Sequence, residues 1–329
     1  MTPPPASPWG PLRRAVNGPV RIAFDEWTEP TARPATEPLL LATGLGANRF
    51  WVPDGLCRLL AAHGFTVVRY DQRDGGDSTH LPPTAARNPI AALFAKRQTA
   101  YTAEDMADDA VAVLDELGWE SAHLFGVSLG GAIVQRVALR HPERVRTLTT
   151  LGSVPGDVAG LRVLPYLRLR TLAKFARLRF PDTREGAVAA GVEMSRLLAS
   201  PRRPFDAAAT RRSVEANPDG GVHDRQAQSR QIGAQWHGPS IDRIARPLLV
   251  LHGEDDPLIK PRAATAIASR VPGARLVPLP RVGHEVPEPA WERVVTEIRE
   301  LAAPHRPEGP PGAAGQTGPP SSGAVVHKG

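Results

Sequence analysis

The sequence has one cysteine, few aromatic residues and no long apolar run. A single thiol, Cys57, among 329 residues allows no internal disulfide and no cysteine-based metal site. Aromatic residues make up only 5% of the chain, so the core must consist largely of Leu, Val and Ala. No stretch approaches the length of a membrane span, and the proline-rich start lacks the apolar segment of a signal peptide. These absences predict a soluble cytoplasmic protein in which Cys57 is a buried, unreactive thiol.

The sequence also lacks a block of charge of one sign. The formal net charge is +6 and the pI is about 10.0, but the arginines that cause this are spread along the chain. A basic balance can indicate a nucleic-acid or anionic-membrane partner. The even spread favours a compositional bias instead, so we expect no nucleic-acid partner and no stable membrane association.

Short apolar runs alternate with helical patterns over most of the chain. The predicted strands are Val20–Trp27, Leu39–Ala42, Thr66–Tyr70, Ala122–Gly126, Val145–Leu151, Pro247–His252 and Arg275–Leu279. The predicted helices between and after them are Pro53–His63, Glu104–Leu117, Leu129–Arg140, Pro261–Arg270 and Ala290–Leu301. Continuous apolar strands separated by helices predict an α/β fold, with a parallel sheet covered by helices on both faces.

Three segments depart from this alternation. Residues 1–17 read as a flexible N-terminal arm, and residues 304–329 are so rich in Pro, Gly and Ser that we expect disorder. Residues 155–240 offer helices but no convincing strand. We therefore expect a core of residues 18–154 and 241–303, with 155–240 as a helical cap or lid over the carboxyl ends of the strands.

A candidate nucleophile lies at the end of one predicted strand. Gly126, Ser128 and Gly130 form the pattern G-x-S-x-G between an apolar strand and a helix. A serine on such a sharp turn projects its hydroxyl above the sheet, and the N–H of Leu129 at the helix start then faces a developing oxyanion. The alternative is a glycine-rich turn with a helix-capping serine.

A candidate acid follows a later strand. Glu254, Asp255 and Asp256 come after an apolar run, and Asp256 precedes Pro257, which disfavours the helical conformation before it. We assign the acid to Asp256 and interpret its two acidic neighbours as turn or capping residues. Asp157, after another strand, is a second candidate.

The candidate base is His284, which follows Gly283 after the last predicted strand. An imidazole with a pKa near neutral suits a group that accepts a proton and then returns it. The order Ser128, Asp256, His284 is the chain order of the Ser-Asp-His hydrolases. His252, His123 and His63 fall at the ends of strands or helices and are interpreted as structural. A solvated loop histidine is the alternative for His284.

Two other loops carry glycines after strands. Thr43 to Ala47 lacks the spacing and the lysine of a phosphate-binding loop, and its position predicts the second oxyanion N–H, which we assign to Leu45. The loop from Arg69 to Ser78 is rich in charge. A metal site is one interpretation, and a salt-bridged turn is the favoured one.

Together these residues resemble the α/β-hydrolase family. Among its members the chain is similar to the polyketide methylesterases, the group of aclacinomycin methylesterase, in the runs R-Y-D-Q-R-D-G-G-D-S and A-D-D-A-V-A-V-L-D and in the loop around His284. The resemblance implies a mostly parallel eight-stranded sheet with helices on both faces and a helical lid insertion. It implies that Ser128, Asp256 and His284 are the nucleophile, acid and base, and that Leu45 and Leu129 are the oxyanion donors. Thr43 stands where many relatives have His.

The resulting hypothesis is a serine hydrolase that cleaves a carboxylic ester through an acyl-enzyme and needs no metal or organic cofactor. The expected partner is a small-molecule ester, such as a methyl ester or lactone of a hydrophobic or polyketide-like compound; a homodimer is left open. The alternatives are a C–C bond hydrolase or cofactor-free haloperoxidase with the same triad, and a slow-turnover ligand-binding receptor. Leu161–Phe180 mixes leucines with basic residues, which favours a lid helix over a membrane-surface helix.

Overall fold

The computed structural model describes residues 7–28, 37–82, 100–217 and 225–305. Its strands are β1 (Arg13–Asn17), β2 (Val20–Glu26), β3 (Glu37–Ala42), β4 (Phe65–Tyr70), β5 (Ala122–Val127), β6 (Val145–Leu151), β7 (Leu248–Gly253) and β8 (Arg275–Leu279). Its α-helices are α1 (Asp54–Ala62), α2 (Ala103–Glu116), α3 (Leu129–Arg140), α4 (Leu169–Arg177), α5 (Arg184–Leu198), α6 (Ala207–Ala216), α7 (Arg225–Gly233), α8 (Pro261–Arg270) and α9 (Trp291–Ala302). Every strand and helix that the apolar pattern predicted is present, with ends that shift by two residues at most.

The eight strands form one sheet in the order β1-β2-β4-β3-β5-β6-β7-β8. β2 pairs antiparallel with β1 and with β4, and all other neighbours are parallel. All six residues of β3 are buried, because the strand is covered on both faces. The predicted mostly parallel eight-stranded sheet is thereby confirmed.

Helices cover the sheet on two sides. One apolar layer includes Met106 of α2, Ile133 of α3 and Ile267 of α8. The other includes Leu60 of α1 and Ile298 of α9. The two layers hold the parallel strands rigidly, so that the loops at their carboxyl ends are fixed relative to one another.

The N-terminal residues differ from the expectation of a flexible arm over 1–17. Residues 13–17 form β1, which pairs with β2 through a turn at Gly18, where φ is +58°. Trp9 is buried edge-on against Trp27, with ring centroids 5.1 Å apart. The arm prediction is therefore wrong for residues 7–17, because a two-residue Gly18-Pro19 turn and a buried indole attach this stretch to the sheet. Residues 1–6 lie outside the described residues, as do residues 306–329 of the predicted tail.

Between β6 and β7 the chain forms α4 to α7, preceded by a 3-10 turn over Gly160–Tyr166. The described part of residues 155–240 contains no strand. Its contacts reach the loops after β3, β4 and β8, which follow the carboxyl ends of those strands. None of the helices in the described ranges is long and apolar enough to cross a bilayer.

Candidate active site

Ser128 lies on a tight turn between β5 and α3. Its backbone has φ 56° and ψ −117°, a conformation that costs an L-residue about 1–3 kcal/mol. The flanking glycines make the turn possible: a Cβ on Gly126 would lie 2.2 Å from the carbonyl oxygen of Gly130. A Cβ on Gly130 would lie 2.1 Å from the carbonyl oxygen of Ala42. The G-x-S-x-G pattern thus satisfies a steric requirement at each glycine.

The loop after β3 passes beside this serine. A Cβ built on Gly44 would lie 3.4 Å from Cβ and 3.9 Å from Oγ of Ser128. Leu45 follows Gly44 directly and is partly exposed. Leu129 is the first residue of α3, so no carbonyl within that helix accepts its N–H. Both predicted oxyanion donors therefore belong to backbone beside the candidate nucleophile.

His284 and Asp256 form a buried pair. Nδ1 of His284 lies 2.7 Å from Oδ2 of Asp256, and the two residues are 6% and 1% exposed. The other carboxylate oxygen, Oδ1, accepts hydrogen bonds of 2.7 Å from the N–H groups of Leu258 and Ile259. With Asp256 ionised, this geometry assigns the proton to Nδ1 and leaves Nε2 free to accept another.

The end of β6 connects the serine to this pair. The N–H of Ser128 donates to the carbonyl of Leu151 over 2.8 Å. The next residue, Gly152, has φ +57°, and a Cβ there would lie 3.1 Å from Nδ1 of His284 and 3.3 Å from Oδ2 of Asp256. Ser128, His284 and Asp256 are thus gathered around one strand end, although they are far apart in sequence.

The electrostatics of the pair favour a base. Burial by itself would lower the pKa of His284, but the charge and hydrogen bond of Asp256, with a contribution from Glu285, outweigh it and raise that pKa. Burial would likewise raise the pKa of Asp256, yet His284 and the two N–H donors hold it below its usual value. The carboxylate therefore stays charged and stabilises the imidazolium that forms when His284 accepts a proton.

The other acidic candidates, Asp157 and Asp255, bind side chains other than that of His284. Asp157 accepts a hydrogen bond of 3.2 Å from Nη1 of Arg270 and another of 3.1 Å from Oγ of Ser240. Asp255 accepts from Ser200 and Arg202 at 2.5 and 2.7 Å. Neither carboxylate has a bond to His284 among those of the described residues.

His123, His252 and Cys57 are buried side chains. His123 contacts Glu37 at 3.1 Å and Thr147 at 2.8 Å inside the sheet. His252 is buried near Asp256; burial lowers its pKa, and the charge of Asp256 only partly opposes this. Cys57 is fully buried in the core, and burial raises the pKa of its thiol.

The charged loop after β4 is a network of ion pairs. Asp71 pairs with Arg49, Arg73 pairs with Asp109 at 2.6 Å, and Asp74 pairs with Arg230 at 2.7 Å. No group of three or more His, Cys, Asp or Glu side chains that could hold a metal ion occurs within the described residues. The loop is therefore the salt-bridged turn that the sequence favoured.

Two residues at the site were not found from the sequence. Gly152 is an isolated glycine after a strand, and its left-handed backbone beside His284 could not be deduced from the pattern. Arg168 donates from Nε to the backbone carbonyl of Asp256 over 2.9 Å. Arg168 lies in the Leu161–Phe180 segment, whose pattern indicates only a lid helix with basic residues, so its link to the acid loop does not follow from the sequence.

The chain matches a known protein family over most of its length. The family model of the alpha/beta hydrolase fold matches residues 37–289. The chain is 33% identical to rhodomycin D methylesterase DnrP of Streptomyces peucetius over 307 residues, which cover 88% of this chain and 97% of that protein. It is 34% identical to rhodomycin D methylesterase DauP of Streptomyces sp. strain C5 over 290 residues, covering 83% and 93% of the two chains.

A solved structure of a meta-cleavage product hydrolase from Pseudomonas fluorescens superposes with a TM-score of 0.65 at 17% identity. The match covers 89% of this chain and 98% of that one. At such low identity this likeness establishes the shared fold alone.

Proposed function

The chain belongs to the α/β-hydrolase fold family, and on that premise we propose that it is a serine hydrolase that cleaves the methyl ester of a polyketide-like compound. The observation that carries the proposal is the placement of Ser128, on its strained turn, against the strand end that also contacts the His284–Asp256 pair. The identity of 33–34% to two methylesterases over most of the chain supports a carboxylic ester as the substrate.

The proposed reaction has two acyl-transfer steps. Nε2 of His284 accepts the proton of the Ser128 hydroxyl as Oγ attacks the ester carbonyl. The N–H groups of Leu45 and Leu129 stabilise the oxyanion, and a donor of this type contributes about 3–4 kcal/mol. Methanol leaves with the proton from His284, and water then repeats the sequence to release the carboxylic acid.

The other activities considered from the sequence have less support. The meta-cleavage product hydrolase matches at 17% identity, which shows the fold alone, whereas the methylesterase DauP matches at 34%. The identity of 33–34% to two methylesterases over most of the chain supports turnover over slow binding. The cytoplasmic location stays a prediction from the sequence.

We also propose that α4 to α7 form a lid that sets substrate choice. These helices contact loops at the carboxyl edge of the sheet, where the candidate triad lies. A wide aromatic substrate would have to fit between this lid and Ser128.

The test uses the purified chain with rhodomycin D and with small methyl esters as separate substrates. We expect methanol and carboxylic acid to be released, and a fluorophosphonate probe to label Ser128. Ser128→Ala should abolish both. The matched control is Ser153→Ala, because Ser153 is a buried serine after β6 whose hydroxyl donates, among the described residues, to the neighbouring carbonyl of Val154 at 3.1 Å. Methyl-ester hydrolysis that survives Ser128→Ala would refute the proposal.

A further inference from the structure

Helix α7 contacts the loop that carries the proposed oxyanion donor Leu45. Oε1 of Gln231 accepts a hydrogen bond of 2.9 Å from the N–H of Gly46, a residue 185 positions away in the chain. Gln231 is only 2% exposed. A buried side-chain amide thus binds the peptide unit that directly follows Leu45.

The orientation of this amide is determined by both of its ends. Nε2 of Gln231 donates to the carbonyl of Arg73 over 3.1 Å, in the loop after β4. Because Gly46 offers a donor and Arg73 an acceptor, only one orientation of the amide satisfies both. Gln231 therefore joins the two loops at a fixed separation.

A second contact positions the helix itself. Arg230 forms a bidentate ion pair with Asp74, at 2.7 and 2.8 Å. Arg230 is 6% exposed, and the Asp74 side chain is fully buried. A bidentate pair with this geometry fixes both distance and direction, so α7 has little freedom to slide over the loop.

The backbone of the loop is adapted to this helix. Gly46 has φ +64°, and a Cβ there would lie 2.7 Å from atoms of the Gln228 side chain, also on α7. On the other side, Nε2 of Gln72 donates to the carbonyl of Thr43. Both ends of the segment around Leu45 are therefore held by glutamine side chains, one from the sheet's own loop and one from the lid.

We propose that Gln231 is a positioning residue for acyl transfer, which completes the oxyanion hole by fixing the peptide after Leu45 when α7 is docked. The inference rests on the proposed function. The hydrogen bond at Gly46 restrains the backbone angles of Leu45 and so aims its N–H at the carbonyl oxygen under attack. A lid displaced from Asp74 would leave this donor misdirected.

The experiment compares Gln231→Met, which keeps the size of the side chain but has no acceptor for Gly46, with the wild type. We expect kcat for methyl-ester hydrolysis to fall about 10- to 100-fold, less than the loss of a whole oxyanion donor, with KM changed by less than about threefold. The rate of phosphonylation of Ser128 by a fluorophosphonate should fall in parallel, since that adduct also places an oxygen in the hole.

The matched control is Gln135→Met. Gln135 is also fully buried and bridges backbone groups, since it donates to Gly131 and Val154 and accepts from Gly156 at 2.9 Å. Its partners Val154 and Gly156 lie in the loop after β6, which carries no oxyanion donor, so the loss of Gln135 should lower the melting temperature to a similar degree with kcat within about threefold.

Gln231→Asn keeps a buried amide that is too short to reach both loops, and it serves if the Met variant does not fold. If both Gln231 variants kept kcat and phosphonylation at the level of Gln135→Met, the inference would be overturned while the proposed function stood. If Ser128→Ala retained hydrolysis, the proposed function itself would fail.

Discussion

Asp256 binds His284 through one carboxylate oxygen, at 2.7 Å from Nδ1, and is itself held through the other by two backbone N–H groups. Because the backbone holds Oδ1, the carboxylate has a fixed orientation, and Oδ2 can in turn orient the imidazole. Arg168 donates a hydrogen bond to the backbone carbonyl of Asp256. Gly152 lies next to the His284–Asp256 pair.

Replacing Asp256 by Asn should leave the fold intact and nearly abolish activity. The amide oxygen would keep the two backbone N–H bonds, and the NH2 group would face Nδ1, which would then have to accept. The proton would move to Nε2, and His284 could no longer act as a base. We expect kcat to fall by a factor on the order of 10⁴.

The control for this variant is Asp255→Asn. Asp255 binds Ser200 and Arg202 and has no bond to His284 among the described contacts, so its loss should leave kcat within about threefold. A similar loss of kcat in the two variants would contradict the assignment of Asp256.

The activity should decline on the acid side with a midpoint above 6.5. Only neutral His284 can accept the proton of Ser128, so kcat/KM is full above the pKa of His284 and is lost as the pH falls through it. Because Asp256 outweighs the effect of burial, the pKa of His284 lies above its usual value of 6.5. A pH profile of kcat/KM in the free enzyme measures this midpoint, and a value below 6.5 would be inconsistent with the electrostatics of the pair.

Gly152→Ala should impair catalysis beyond its effect on stability. The added methyl would lie 3.1 Å from Nδ1 of His284 on a backbone with φ +57°, so the imidazole must move. A misplacement of about 1 Å can cost roughly 100-fold in rate, so a smaller shift of the imidazole should lower kcat by about 3- to 10-fold.

The control is Gly273→Ala, which introduces the same kind of backbone strain without a contact to His284. Gly273 has a similar φ of +72°, but a Cβ there would meet nothing within 4 Å. The Gly273→Ala variant should lose about 1–2 kcal/mol of stability and keep the wild-type kcat. Equal kcat in the two variants would show that Gly152 has no role at the site.

Stability should depend on pH through His123. Burial lowers the pKa of this imidazole to about 4 from 6.5, against the opposing charge of Glu37. Between these values the unfolded chain binds a proton that the folded chain does not, so the free energy of unfolding falls as the pH drops through this window. The full loss is about 3 kcal/mol.

Denaturant unfolding between pH 4 and 7 measures this dependence, and His123→Gln should flatten it. The control is His63→Gln, which removes a partly exposed histidine at the end of α1. If His123→Gln retained the wild-type slope, another group would have to be responsible.

The strands, the helices and the turn at Ser128 follow from local features of the sequence. Apolar runs between helical patterns specify buried parallel strands, and the glycines at 126 and 130 are required wherever this turn forms. The Gly18-Pro19 turn before β2 is equally local, but the strand on its N-terminal side is short and mostly polar, so the apolar pattern does not predict it.

The sequence by itself determined the order of Ser128, Asp256 and His284 and their places after strands, since strand ends and glycine turns depend on neighbouring residues. Only the tertiary structure decided that Gly152 lies against the imidazole, that Arg168 binds the acid loop and that Gln231 reaches Gly46 across the molecule. Those contacts join segments that are distant in the chain, and their geometry depends on how helices pack over the sheet edge, which no local pattern encodes.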